Sequence, residues 1–152
     1  MQAENPIQNR EATSLRAWLQ VVKSYQTCYA VLSQALKPLD LSVPQHDLLA
    51  AVHADDGLVQ QHLSKKLLVV KSNVTALLTR LEARGLVRRE TDARDARVKR
   101  VYLTDEGRAL VERSLERQNA VVGQMVSALD VAEIEALEAM MRRIRGQLQS
   151  TQ

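Results

Sequence analysis

Between Leu58 and Leu103 two short amphipathic segments lie almost back to back and run into a basic hairpin pattern, an order that few folds accommodate. In the second segment, Lys71 to Arg84, the residues Val74, Leu77, Leu78 and Leu81 fall at i, i+3, i+4 and i+7, one apolar stripe of helical period. The other face carries Lys71, Ser72, Asn73, Thr75, Thr79 and Arg80, short hydrogen-bonding side chains mixed with long cations. Gly85 is free to take the positive φ that closes a helix, with Arg84 at the negative end of the dipole. At about 1.5 Å per residue such a helix is roughly 21 Å long.

The segment ahead of it, Val59 to Leu67, places Val59, Leu63 and Leu67 at i, i+4 and i+8, so it too buries one stripe. The connector Leu68 to Val70 is too short for the helices to do anything but cross, as in a helix-turn-helix. Val70 cannot cap the second helix, so Ser72 or a water is expected to satisfy its first N–H groups. After Gly85, Leu86 to Thr91 and Val98 to Leu103 fit two short strands rich in β-branched residues. Asp92 to Arg97 (DARDAR) is the polar tip between them, and the ribbon reads as a two-stranded wing.

Charge follows the same division. From His62 to Leu103 there are eleven cations against four anions, a local balance of +7 that leaves −4 for the rest of a chain whose net charge is +3. A basic centre on an acidic frame is the footprint of a nucleic-acid binder, and a protein–protein adaptor built on the same scaffold has no need of it. One tryptophan, three tyrosines and no phenylalanine require an aliphatic core. A single cysteine rules out a disulfide within the chain, and the absence of a signal peptide or long apolar run suits a soluble, cytoplasmic protein with no membrane partner.

Taken in order, residues 1–10 are polar and aperiodic and are expected to form a mobile arm or a frayed helix start. A long helix is expected from Glu11 to Lys37, with Leu15, Trp18, Leu19, Val22, Tyr29, Leu32 and Leu36 on one side, stopped by Pro38. A second helix starts near Pro44 and ends at the turn Ala54 to Gly57. Beyond the wing, Thr104 caps a helix that opens with Asp105 and Glu106 and runs to about Leu129. Asp130 and Glu133 then form a capping-box pattern ahead of a last helix carrying Ile134, Leu137, Met141, Ile144 and Leu148. The fold class expected is therefore mainly α with a small β-wing, in one compact domain: a helix-turn-helix region over 38–103, and terminal helices over 11–37 and 104–149 whose apolar seams need a partner.

The run RLEARGLV, the Asp-x-Arg-Asp-x-Arg tip (Asp92, Arg94, Asp95, Arg97) and Leu-Thr-x-Glu-Gly at Leu103 to Gly107 together resemble the winged helix-turn-helix of the MarR family of bacterial transcription regulators. The resemblance extends over about residues 11 to 149. It implies a homodimer joined through the terminal helices, binding a pseudo-palindromic site on double-stranded DNA, most often as a repressor. On that reading Ser72, Asn73, Thr75, Ala76 and Arg80 are candidates to read bases, Arg80 being able to grip guanine with two bonds. Arg94 and Arg97 are candidates for the minor groove, unless Asp92 or Asp95 holds one of them to stiffen the tip. Lys65, Lys66, Lys71, Arg88, Arg89, Lys99 and Arg100 are candidates for phosphates, though alternate strand positions must face different ways.

The resemblance also implies a cleft for a small aromatic effector between the terminal helices and the DNA-binding unit, with Trp18, Tyr25, Tyr29 and His46 as its candidate lining. Some relatives sense oxidants through a cysteine of the first helix, but Cys28 lies about one and a half turns from that place and among Tyr25, Tyr29 and Leu32, so an inert packed thiol is expected. His46, His53 and His62 lack a metal-binding spacing. No nucleophile with a neighbouring base, no phosphate-cradling glycine loop and no paired acids appear, so neither a cofactor nor an enzymatic reaction is expected.

Overall fold

The structure, a computed structural model, describes residues 6–67 and 72–150, with side chains for all of these except 6–8, 64–66, 72 and 73. The connector Leu68 to Val70, Lys71 and the expected cap of the second helix lie outside the described residues. Among the described residues six α-helices and three strands follow one another in the order α1(Pro6–Leu36), α2(Val43–Ala54), β1(Leu58–Val59), α3(Gln60–Lys66), α4(Ser72–Ala83), β2(Val87–Thr91), β3(Lys99–Leu103), α5(Asp105–Val126) and α6(Val131–Gln149).

Helix α1 begins at Pro6, so of the two readings of the N-terminal segment, residues 6–10 follow the helix start rather than the arm. A single 3-10 turn, Lys37–Leu39, ends it at Pro38, and Asp40 then turns the chain with a left-handed φ of 51°. Ser42 opens α2 by accepting from the Gln45 N–H, while the Gln45 side chain accepts from the Ser42 N–H: both orphan donors are satisfied at once. Asp130 and Glu133 close α6 in the same reciprocal manner, whereas at α5 the Thr104 hydroxyl alone caps, accepting from the Gly107 N–H.

Helix α4 closes as its glycine foretold. The Leu86 N–H reaches the Leu81 carbonyl and the Gly85 N–H the Glu82 carbonyl, with Gly85 at φ +70° and Leu81 and Leu86 both buried.

The wing differs from the two-stranded ribbon expected. Val59, assigned to the start of a helix by its spacing, is instead extended with Leu58 and pairs with β3, giving a three-stranded antiparallel sheet in the order β1-β3-β2. Two apolar residues straight after Gly57 complete the sheet, and α3 starts one residue later than Val59. β2 and β3 pair in full register from Val87 with Leu103 to Thr91 with Lys99.

The core is aliphatic, as the scarcity of aromatic residues requires. Leu36, Leu48, Leu49, Val52, Leu63, Leu78, Leu81, Val101 and Val111 are fully buried, so it runs from the end of α1 to the first third of α5. Gly107 shows how tightly the wing is docked: a Cβ there would lie 1.9 Å from the Leu86 carbonyl oxygen. That carbonyl accepts from the Thr104 N–H, and the Thr104 hydroxyl donates to the Gly85 carbonyl while capping α5. The Leu-Thr-x-Glu-Gly pattern is thus the joint that fixes α5 to the end of α4. Helix α6, by contrast, has no buried residue.

Candidate nucleic-acid interface and the cleft behind it

Helix α4 presents two faces. Val74, Leu77, Leu78 and Leu81 are buried, whereas Thr75, Ala76, Thr79 and Arg80 are exposed. The Thr79 hydroxyl donates to the Thr75 carbonyl, and Arg80 has no hydrogen bond or ion pair among the described residues. A long cation left unpaired on an outward face that also carries the Thr75 and Thr79 hydroxyls can reach base edges and phosphates alike. Ser72 and Asn73 lie in the first turn of the same helix, but their side chains, like those of Lys65 and Lys66, fall outside the described residues, as does Lys71 altogether.

At the wing tip the aspartates act on the backbone rather than on the neighbouring arginines. Asp92 Oδ1 accepts from the N–H groups of Arg94 and Asp95, and Asp95 Oδ1 from that of Arg97. The other Asp92 oxygen takes Arg100 Nε, while Arg100 Nη1 donates to the Gly57 carbonyl at 3.0 Å. These bonds, Arg100 first, hold the Asp92 carboxyl below its ordinary value and the Arg100 guanidinium above its own. Arg94 has no side-chain partner among the described residues, and Arg97, 95% exposed, keeps only a 3.9 Å approach to Asp95. The tip is therefore a stiff loop that displays two arginines.

The strands sort the phosphate candidates. Arg89 turns inward to Glu82 of α4, donating from Nε at 3.1 Å, from Nη2 and from its own backbone N–H. The side-chain bond from Arg89 holds the Glu82 carboxyl below its ordinary value. Arg100 is held by Asp92 and Gly57. Both brace the wing, one from each face of the ribbon, since Arg89 stands across from Val101 and Arg100 across from Glu90; the carboxylates they hold compete with the phosphates expected of them. Arg88 pairs with Glu90 and lies over the Tyr102 ring, 4.6 Å from its centre, yet remains half exposed. Lys99 is exposed and donates to the Thr91 hydroxyl.

At the base of the wing, Asp56 accepts from the Leu103 N–H and from Arg108, tying the turn after α2 to β3 and α5. Arg84, expected only to face the dipole of its helix, donates to the Asp40 carbonyl at 2.7 Å.

Behind this unit α1, α2 and α5 enclose a cleft of about 430 Å³. Tyr25 and Tyr29 line it as expected, their rings 6.1 Å apart and tilted by 45°. Trp18 does not; it lies further up α1, 59% exposed. Nor does His46, which is fully buried one layer back. Its Nδ1 donates to Ser114 Oγ at 2.9 Å, because the Ser114 proton is committed to the Val111 carbonyl, and its Nε2 lies 2.7 Å from Gln118 Oε1. Gln118 itself lines the cleft, with Cys28, Asp47 and Met125, none of which the sequence reading assigned to it. Cys28 is half-buried there. Among the described residues no group of three or more His, Cys, Asp or Glu side chains could hold a metal ion, and no helix is long and apolar enough to cross a membrane.

A helix with an unpaired cation on its outer face, preceded by a short helix with which it shares α2 as a support and flanked by a stiff ribbon that displays two arginines, defines a winged helix-turn-helix DNA-binding protein. Residues 39–98 match the MarR family. The transcriptional regulator HosA of Escherichia coli O157:H7 is 31% identical over 105 residues, covering 69% of this chain and 78% of that one. Among solved structures, a MarR-family transcriptional regulator from Silicibacter pomeroyi is 31% identical with a TM-score of 0.72, covering 84% of this chain and 86% of that one. The DNA complex of S. aureus MepR is 28% identical with a TM-score of 0.77, covering 86% and 96%. The chain belongs to the MarR family of transcription regulators.

Proposed function

We propose that this regulator is a cytoplasmic homodimer that represses transcription by occupying a pseudo-palindromic operator, and that a small molecule in the α1/α2/α5 cleft releases it. The observation that carries the reading is the exposed face of the terminal helices. Leu15, Trp18 and Leu19 of α1, Val122 and Met125 of α5, and Met140, Ile144 and Leu148 of α6 are all solvent-exposed in a single subunit, and a 19-residue amphipathic helix with nothing buried needs a second surface. A second copy of the chain offers the same helices. The terminal regions 11–37 and 104–149 then form the dimer, and twofold symmetry sets two units of 38–103 against successive half-sites.

In this mechanism exposed cations on α4 and the wing set affinity through phosphates, Thr75, Ala76 and Arg80 with Ser72 and Asn73 read bases, and Arg94 and Arg97 read minor-groove shape. An effector acts by binding better to a dimer whose half-site spacing no longer fits the operator. Selection of bound fragments from a random duplex pool by the purified protein tests this. The expected result is a pseudo-palindrome with half-sites about 10 bp apart, bound by a dimer in sedimentation and released as salt rises. A lone subunit at micromolar concentration, or no salt-sensitive attraction to any duplex, would overturn it.

A further inference from the structure

The cleft behind the DNA-binding unit has an unusual charge pattern. Of its lining residues Asp47 is the one that carries charge at neutral pH; no lysine or arginine among the described residues faces it. The rest of the wall is aromatic and apolar: Tyr25, Tyr29, Pro44, Val122 and Met125. Asp47 makes no hydrogen bond or ion pair with any described residue. The nearest cation-forming group, His46, has both ring nitrogens engaged, by Ser114 and by Gln118, and so offers Asp47 no bond. Burial pushes the Asp47 carboxyl above its ordinary value, against a smaller opposing pull from His46. A half-buried carboxylate with no partner is costly to ionise, and a bound cation removes that cost.

The two tyrosine rings supply the other half of such a site. A positive group over an aromatic face is attracted to it, and more strongly when water is excluded. A volume of about 430 Å³ suits a ligand of drug-like size with an apolar body. An anionic ligand would meet Asp47 with no compensating cation. We propose that the cleft takes a cationic small molecule with an aromatic or apolar body, an amine or quaternary ammonium, and that Asp47 is the residue that selects its charge. This rests on the reading of the cleft as the effector site, and adds the chemical class of the effector.

Three probes with one ring system and three charges test it: 1-naphthylmethylammonium, 1-naphthylmethanol and 1-naphthoate, titrated into the full-length protein by calorimetry without DNA. The ammonium is expected to bind at least about tenfold tighter than the alcohol, a gap within reach of one desolvated cation–π and ion-pair contact, with the naphthoate weakest. Asp47→Asn should erase the gap between ammonium and alcohol, and Asp47→Glu should keep it. Equal or tighter binding of naphthoate overturns the proposal, as does a gap that survives Asp47→Asn. Binding by none of the three also overturns it. Release of selected operator DNA is read in parallel. A charge preference without DNA release supports the cation site and sinks the effector reading, whereas release by naphthoate alone supports the effector reading and sinks the cation.

Discussion

Arg89 of β2 grips Glu82 of α4 with Nε, Nη2 and its own backbone N–H, so one residue joins the wing to α4. Because the Glu82 carboxyl is held below its ordinary value, the pair's contribution is fully present above the unfolded glutamate value and is lost as pH falls through the lower folded one. Glu82→Gln should therefore lower stability at neutral pH by about 0.5 to 1 kcal/mol, a partly exposed pair being screened by solvent. The difference from wild type in urea melts should shrink as pH drops into the acid range. A difference independent of pH would mean that the charge contributes nothing.

Arg80 and Lys99 should divide the labour of DNA binding. Arg80→Ala is expected to cost about 1 to 3 kcal/mol on the selected site, with little change on random duplex. Lys99→Ala should weaken both alike and reduce the salt slope by about one. Fluorescence anisotropy at several salt concentrations separates the two.

Asp92 gives a prediction of unexpected sign. Removing an anion from a DNA-facing loop ought to strengthen binding by simple electrostatics, yet Asp92 organises the N–H groups of Arg94 and Asp95 and holds Arg100. Asp92→Ala is expected to weaken operator binding several-fold with the melting temperature nearly unchanged. Tighter binding would show that the order of the tip is not used.

Two glycines should respond for different reasons. Gly107→Ala forces a methyl against the Leu86 carbonyl and should destabilise by about 3 kcal/mol, the upper part of the overpacking range. Gly85→Ala meets open space and suffers only from its left-handed φ, about 1 kcal/mol. Denaturant midpoints that reverse this order would refute the tight docking of α5.

Removing α6 by ending the chain after Asp130 should abolish the dimer in light scattering. If a stable dimer survives, α1 and α5 suffice and α6 has another role.

The helices with clean apolar stripes were legible in the sequence, because burial on one face leaves a periodic trace: Val74, Leu77, Leu78 and Leu81 are all buried. The caps were legible for the same local reason at Thr104, Asp130 and Gly85. What escaped was set by tertiary partners. Leu58 and Val59 carry no helix-breaking signal of their own and are extended because β3 offers a free edge. Arg89 and Arg100 look like their exposed neighbours in sequence, and only Glu82 and Asp92, brought close by the fold, turn them into struts. Asp47 was passed over beside His46 since a single carboxylate has no periodicity, and its significance depends on the two tyrosines opposite it.

The bond from Arg84 to the Asp40 carbonyl gives the molecule a fulcrum. Asp40 marks the corner where α1, a rod of 31 residues and roughly 46 Å, meets the rest of the fold. Arg84 stands just beyond the last turn of α4. Two residues 44 positions apart along the chain are thus fastened by one guanidinium, and the corner below α1 and the C-terminal end of α4 keep a fixed distance.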